Sequence, residues 1–328
     1  MKRVILFFFL ISVFILVKCQ LKNGTDPNSQ VLVPYPKENP TTSDKVALGK
    51  LLFFDKRLSK DGSLACANCH DPRKAFTDQL RTSRGIKGQF TERNAPSLLN
   101  AGFLKTIMFD AHLKSLEIQV IVPIQEKTEM GHNMKHLIPK LRAIPKYQAL
   151  AKKIFKRNFD AYVLTRSIAA FERTLVSLNS RYDQFIRGNK KALTKSEQAG
   201  LKLFTEQLYC TQCHPAPFFT NFQAKNNGLY SDYAKINDKG RFRIHLDSND
   251  IGKIKVPSLR NIELTYPYMH DGSLKSLEEV ITHYKNGGKK NPLQNNVIRN
   301  FKLSKKQEHQ LIQFLKTLTD TSYLKNFN

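Results

Sequence analysis

The sequence predicts a mostly α-helical chain made of two similar modules packed against each other, and three observations carry that prediction. Helical periodicity runs through long stretches, while the alternating pattern of β-strands is scarce. A short motif occurs twice, as Cys66-Ala67-Asn68-Cys69-His70 and as Cys210-Thr211-Gln212-Cys213-His214. Each copy follows a similar helical segment, containing Leu48, Leu51, Leu52, Phe53 and Phe54 in the first case and Leu201, Leu203 and Phe204 in the second.

The motif states its own chemistry. Two cysteines three positions apart each take up one vinyl group of a haem as a thioether, and the adjacent histidine reaches the iron as axial ligand. A thioredoxin-like dithiol or half a zinc site also uses a CxxC pair, but neither needs a histidine directly after the second cysteine. The chain is therefore read as carrying two covalently bound haem c groups, one on Cys66, Cys69 and His70 and one on Cys210, Cys213 and His214. Helix, short connection and motif, repeated, give two cytochrome c-like haem domains.

A length of 328 residues with 41% hydrophobic composition is enough to bury a core in each module. The haem motifs consume four of the five cysteines, so only Cys19 remains and no structural disulfide is available. Fifty-three Lys and Arg against 27 Asp and Glu leave a net charge of +26. No basic run interleaved with aromatics and no helix-turn-helix pattern points to nucleic acid. The charge is read either as a solvated surface or as attraction to an acidic redox partner or an anionic membrane surface.

In order along the chain, residues 1–19 read as an export segment: Lys2 and Arg3, then an apolar run from Val4 to Val17. Leu16-Val17-Lys18-Cys19 resembles a relaxed lipoprotein box, which predicts a periplasmic protein lipid-anchored through Cys19. An uncleaved N-terminal anchor and a discarded signal peptide are the alternatives. Residues 20–42, with Pro27, Pro34, Pro36 and Pro40, read as a flexible linker. The first haem domain is expected over 43–179, opened by a helix capped by Ser43 or Asp44, with helical periodicity over 136–155 and 161–179. Within it Ser115 to Val120 begins a helical segment that Pro123 ends or kinks. The second domain is expected over 180–303. A last helix, from Ser304 to Leu318, carries an apolar stripe of Leu311, Ile312, Phe314, Leu315 and Leu318, and 304–328 is expected to pack back on the first domain.

Five further segments carry a resemblance. They are Leu48 to Asp55, Arg93-Asn94-Ala95-Pro96-Ser97-Leu98, Phe171-Glu172-Arg173-Thr174-Leu175, Val256-Pro257-Ser258-Leu259-Arg260-Asn261 and Pro267-Tyr268-Met269-His270-Asp271-Gly272. With both haem motifs in order, the chain resembles the bacterial di-haem cytochrome c peroxidase and MauG family over nearly its whole length after the export segment. The resemblance implies an enzyme in which the first haem, held by His70, meets hydrogen peroxide, and the second, held by His214, relays electrons from a small redox protein such as a cytochrome c or cupredoxin. It further implies that Gln119, Pro123 and Glu129 serve the first haem, with Glu129 moving a proton and Gln119 holding the peroxide.

Departures from the family pattern shape the remaining expectations. Family members that need reductive activation place a second histidine sixteen residues after the first haem histidine; here that residue is Ile86, so the first iron is expected to be uncapped when oxidised. Fourteen residues after His270, where the peroxidases place a methionine ligand and MauG-like proteins a tyrosine, stands Tyr284, with Met269 and His283 as alternative ligands of the second iron. Where the family has a tryptophan between the haems this chain has Phe109, and it contains no tryptophan at all. The family also implies a calcium ion held by Asn94, Thr265 and Pro267 through oxygen ligands. Arg260 and His270 are read as steadying haem propionates or interface waters, and His112, His132, His136, His245 and His309 as surface histidines. Two other functions stay open: MauG-like peroxide-dependent oxidation of a protein or organic substrate, and a non-catalytic electron-transfer cytochrome.

Overall fold

The computed structural model of the chain describes residues 33–327; the export segment, Cys19 and most of the linker lie outside the described residues. The longer helices are α1 (Ser43–Phe53), α2 (Met134–Arg142), α3 (Pro145–Phe155), α4 (Ala161–Arg173), α5 (Lys195–Lys202), α6 (Leu277–Lys285) and α7 (Lys305–Lys316). The only sheet among the described residues is a two-residue antiparallel ladder, Ala224–Lys225 against Ile254–Lys255.

Local chemistry sets the boundaries. The cap of α1 is Thr42 rather than Ser43 or Asp44, its hydroxyl accepting from the Lys45 N–H at 3.3 Å. The periodic stretch over 136–155 divides into α2 and α3, because Pro145 is the first residue of α3 and holds Ile144 in extended backbone. Pro123 does not end its segment: the segment breaks at Val120 into Leu116–Gln119 and Ile121–Gln125, and Pro123 lies in the first turn of the second, where a missing N–H costs nothing. Helix α4 stops at Arg173, and the chain after it is extended and tied to Asn100, which exchanges hydrogen bonds with the backbone of Ser177.

Two cores follow from two repeats of one packing device. In the first, α1 crosses α4 at Gly49, where a Cβ would lie 1.9 Å from the Ser167 carbonyl oxygen. In the second, α5 crosses α7 at Gly200, where a Cβ would lie 2.0 Å from the Gln310 carbonyl oxygen. Each crossing buries an aromatic pair on the following turn, Phe53 against Phe171 with ring centroids 5.1 Å apart and Phe204 against Phe314 at 5.2 Å. Burying each such side chain contributes on the order of 1.5–3 kcal/mol. The expected return of 304–328 onto the first half needs correcting. Helix α7 belongs to the second core through Leu311, Phe314 and Leu315, and only Tyr323, Leu324 and Phe327 beyond it reach the first.

The halves are laced together by polar groups on the loops between helices. Arg93 forms forked ion pairs with Asp110 and with Asp238, and Arg241 donates to the carbonyls of Asp110 and Ala111. The Asn94 N–H donates to the His270 carbonyl at 2.8 Å, and the Lys255 N–H to the Phe109 carbonyl at 2.7 Å. Phe103 packs on Phe218 at 4.6 Å. No helix of the described residues is long and apolar enough to cross a membrane.

Candidate functional site

One cavity of about 1490 Å³ runs between the halves and is lined by residues of both haem motifs, Cys69, His70, Cys210, Cys213 and His214. Cys66 is half-buried and packs against the first core. None of the four motif cysteines is paired in a disulfide, so each sulfur remains for a thioether.

The two motif histidines are held in the same way. Nδ1 of His70 lies 3.0 Å from the Phe76 carbonyl oxygen, and Nδ1 of His214 lies 2.9 Å from the Phe219 carbonyl oxygen. A carbonyl can only accept, so each Nδ1 carries the proton and each Nε2 is left with its lone pair. Burial lowers the basicity of both rings and keeps them neutral. A neutral imidazole with its far nitrogen fixed is what an axial haem ligand requires.

Gln119, Pro123 and Glu129 all line the same cavity as His70. Their segment is pinned by its backbone: the Pro123 carbonyl accepts from Met130 N–H at 3.1 Å, Glu126 from Glu129 at 3.0 Å, and Glu129 from Ile86 at 2.9 Å. Burial, with a smaller contribution from the Glu126 charge, pushes the Glu129 carboxyl up to about 7. At neutral pH it is therefore poised to take or give a proton.

Ile86 does not line the cavity. It is buried, with its Cδ1 against Gly131, where a Cβ would meet it at 2.4 Å. Gly85 beside it approaches the Thr128 carbonyl so closely that a Cβ would lie 1.7 Å away. The loop is thus stitched to the turn that carries Glu129. No histidine of the described residues 71–106 exists to reach the first site.

At the second site Tyr284 lines the cavity with His214, and Met269 does too. Burial raises the Tyr284 phenol while a hydrogen bond from Asn227 opposes the rise. The Asn227 side-chain nitrogen also donates to the Met269 sulfur at 3.3 Å, so that thioether is engaged. His283 is turned away: its Nε2 lies 3.0 Å from the Asn227 carbonyl oxygen, and it does not line the cavity. Asn227 is invisible to motif reading, because nothing in its own neighbourhood signals a role.

Phe109 stands between the halves, its ring 6.3 Å from that of His270, with the Arg93 guanidinium 5.9 Å from its face. Asn94, Thr265 and Pro267 also line the cavity. Asn94 donates its Nδ2 to the Leu80 carbonyl at 2.7 Å, which turns Oδ1 free, and neither the Thr265 nor the Pro267 carbonyl accepts a backbone hydrogen bond among the described residues. Three free oxygens suit a hard cation, although no cluster of three or more His, Cys, Asp or Glu stands ready to hold one among the described residues.

Three sequence expectations need correction. Arg260 is not available to a propionate: it forks onto Asp183 with two 2.8 Å bonds and donates Nε to the Pro217 carbonyl. His132 is buried, and His112 is half-buried and lines the cavity with an unpartnered Nδ1, so neither is a plain surface residue. What sequence reasoning missed is Lys255. Its side chain lines the cavity and has no acceptor among the described residues, and burial pushes it down to about 8. A half-buried amine lacking a counter-charge fits a cavity that would receive the carboxylates of a haem.

Comparison with known proteins agrees with this geometry. Residues 43–191 match the family model described as di-haem cytochrome c peroxidase. The methylamine utilization protein MauG of Methylorubrum extorquens is 37% identical over 290 residues, covering 87% of this chain and 81% of that one. The chain belongs to the di-haem cytochrome c peroxidase family. The cytochrome c551 peroxidase of Nitrosomonas europaea is 33% identical, covering 90% of this chain and 86% of its own. A crystal structure of a MauG-like protein associated with microbial copper homeostasis superposes with a TM-score of 0.84 at 34% identity, covering 90% of this chain and 96% of that one. The protein is a peroxide-acting oxidoreductase with two haem c groups.

Proposed function

We propose that this chain reduces hydrogen peroxide to water at the His70 site, with electrons entering through the His214 site from a small redox protein. The observation that carries the reading is Glu129, pushed up to about 7 and facing the same cavity as His70, Gln119 and Pro123. Haem bound at the two sites supplies an iron that accepts peroxide and a second that stores and delivers electrons. Glu129 takes the proton from one peroxide oxygen and returns it to the other, which departs as water. Gln119 orients the peroxide by hydrogen bonding, and Pro123 fixes the turn from which Glu129 reaches in. Steady-state turnover with a reduced cytochrome c or cupredoxin tests the reading: a wild type that binds both haems and leaves peroxide unreduced overturns it in favour of a plain electron-transfer cytochrome, and a Glu129→Gln enzyme that turns over normally removes Glu129 from the chemistry.

A second reading is favoured by a specific observation. Ile86 is packed away and Tyr284 stands at the second site, the arrangement expected of MauG-like oxidation of a protein or organic substrate. An anionic phenolate stabilises oxidised iron more than a thioether does. Resting-state electron paramagnetic resonance should show a high-spin ferric signal from the first haem; low-spin signals alone would mean that another group caps it. Asn94, Thr265 and Pro267 are proposed to hold calcium. The protein is proposed to be periplasmic, lipid-anchored through Cys19, with an acidic donor matched to its +26 charge.

A further inference from the structure

Residues 130–159 contain eight Lys and Arg and no Asp or Glu. These are Lys135, Lys140, Arg142, Lys146, Lys152, Lys153, Lys156 and Arg157, and every one is exposed. They lie on or just beyond the hairpin of α2 and α3, off the stripe of Leu137, Leu141, Tyr147 and Ala151 that faces the first core. Only Lys153 and Arg157 have an acidic partner among the described residues, Asp44 at 3.4 Å and Asp160 at 2.5 Å. The charge is not explained by the haems, since no residue from 130 to 203 lines the cavity.

The described chain enters the fold at Val33, which packs beside Gly102, and reaches this hairpin only at α1. The start of α1 lies against this hairpin: Asp44 pairs with Lys153, and the Lys45 ammonium sits 5.3 Å from the centre of the Phe155 ring. Upstream of it the sequence carries the apolar run Val4 to Val17 and Cys19.

We propose that the α2–α3 hairpin is a docking face for an anionic phospholipid surface. Six uncompensated cations on adjacent helices generate a field that attracts acidic headgroups within a Debye length. Because the six share one hairpin, their attractions to an anionic surface add. An electron donor fits this face poorly, because none of its residues borders the cavity where electrons are needed.

The test uses the full-length holoprotein and vesicles of phosphatidylcholine with or without phosphatidylglycerol, in sedimentation at low and high salt. The wild type should bind the phosphatidylglycerol vesicles more tightly, and salt should weaken that preference. Replacing Lys135, Lys146, Lys152 and Lys156 together by Gln should weaken binding to those vesicles roughly tenfold or more, with both haem spectra and peroxide turnover on a small chemical donor unchanged. Equal binding of the two vesicle types by the wild type, or unchanged binding by the variant, overturns the proposal. So does a variant that binds vesicles normally but turns over slowly with an acidic donor protein, which would assign the face to that partner.

Discussion

Glu129 shows how a single side chain converts burial into chemistry. A solvated glutamate is ionised at any physiological pH and has no proton to give, whereas this one is pushed up to about 7 by its surroundings. Acting as base, it must be ionised to start the reaction, so kcat/KM for peroxide should rise with pH through about 7. In Glu129→Gln that ascending limb should vanish and the rate fall by roughly 10²–10⁴-fold, measured by steady-state kinetics across pH. Residue by residue, legibility in the sequence was uneven. The haem cysteines and histidines announce themselves by spacing, because thioether attachment demands that spacing. Glu129 and Gln119 are ordinary polar residues that only a family pattern singles out. Asn227 and Lys255 carry no local signal, since what distinguishes them is the chain that folds over them from elsewhere.

At the scale of elements, the repeated helix crossing decides how tightly each half closes. Gly49 and Gly200 stand where a neighbouring backbone comes too near for any side chain. Gly200→Ala must push α5 from α7, and the cost should be about 1–3 kcal/mol, read as a lower denaturation midpoint with the slope unchanged. Gly49→Ala should act equally on the first half. The helices themselves were legible in the sequence: α1 and α7 fall where periodicity places them, and α4 starts where expected but ends six residues before Asn179. The break at Ile144 was not, because Pro145 at the start of a helix and Pro139 within one look alike in a periodic pattern. The placement of α7 was not either, as its apolar stripe fits any apolar partner.

For the molecule as a whole, two questions are how electrons cross between the halves and how the fold responds to pH. Phe109 lies at the crossing and is much harder to oxidise than tryptophan, so electrons are expected to cross by tunnelling; Phe109→Trp should speed inter-haem transfer in stopped-flow experiments. Glu172, buried in α4 with Oε2 unpartnered, is pushed up to about 8 by burial. A folded-state value above the ordinary 4.5 means that the folded protein holds the extra proton more firmly than the unfolded chain. The stability this gives is complete at pH below 4.5 and is lost as pH climbs through about 8. Tm measured across that window should therefore fall more in the wild type than in Glu172→Gln. Finally, the hollow that receives both cofactors is shared, with walls contributed by each half. Maturation is consequently expected to be a joint event: a polypeptide loaded at only one motif would keep an unfilled void along the seam, and a defect in attaching either porphyrin should leave both halves open to proteases.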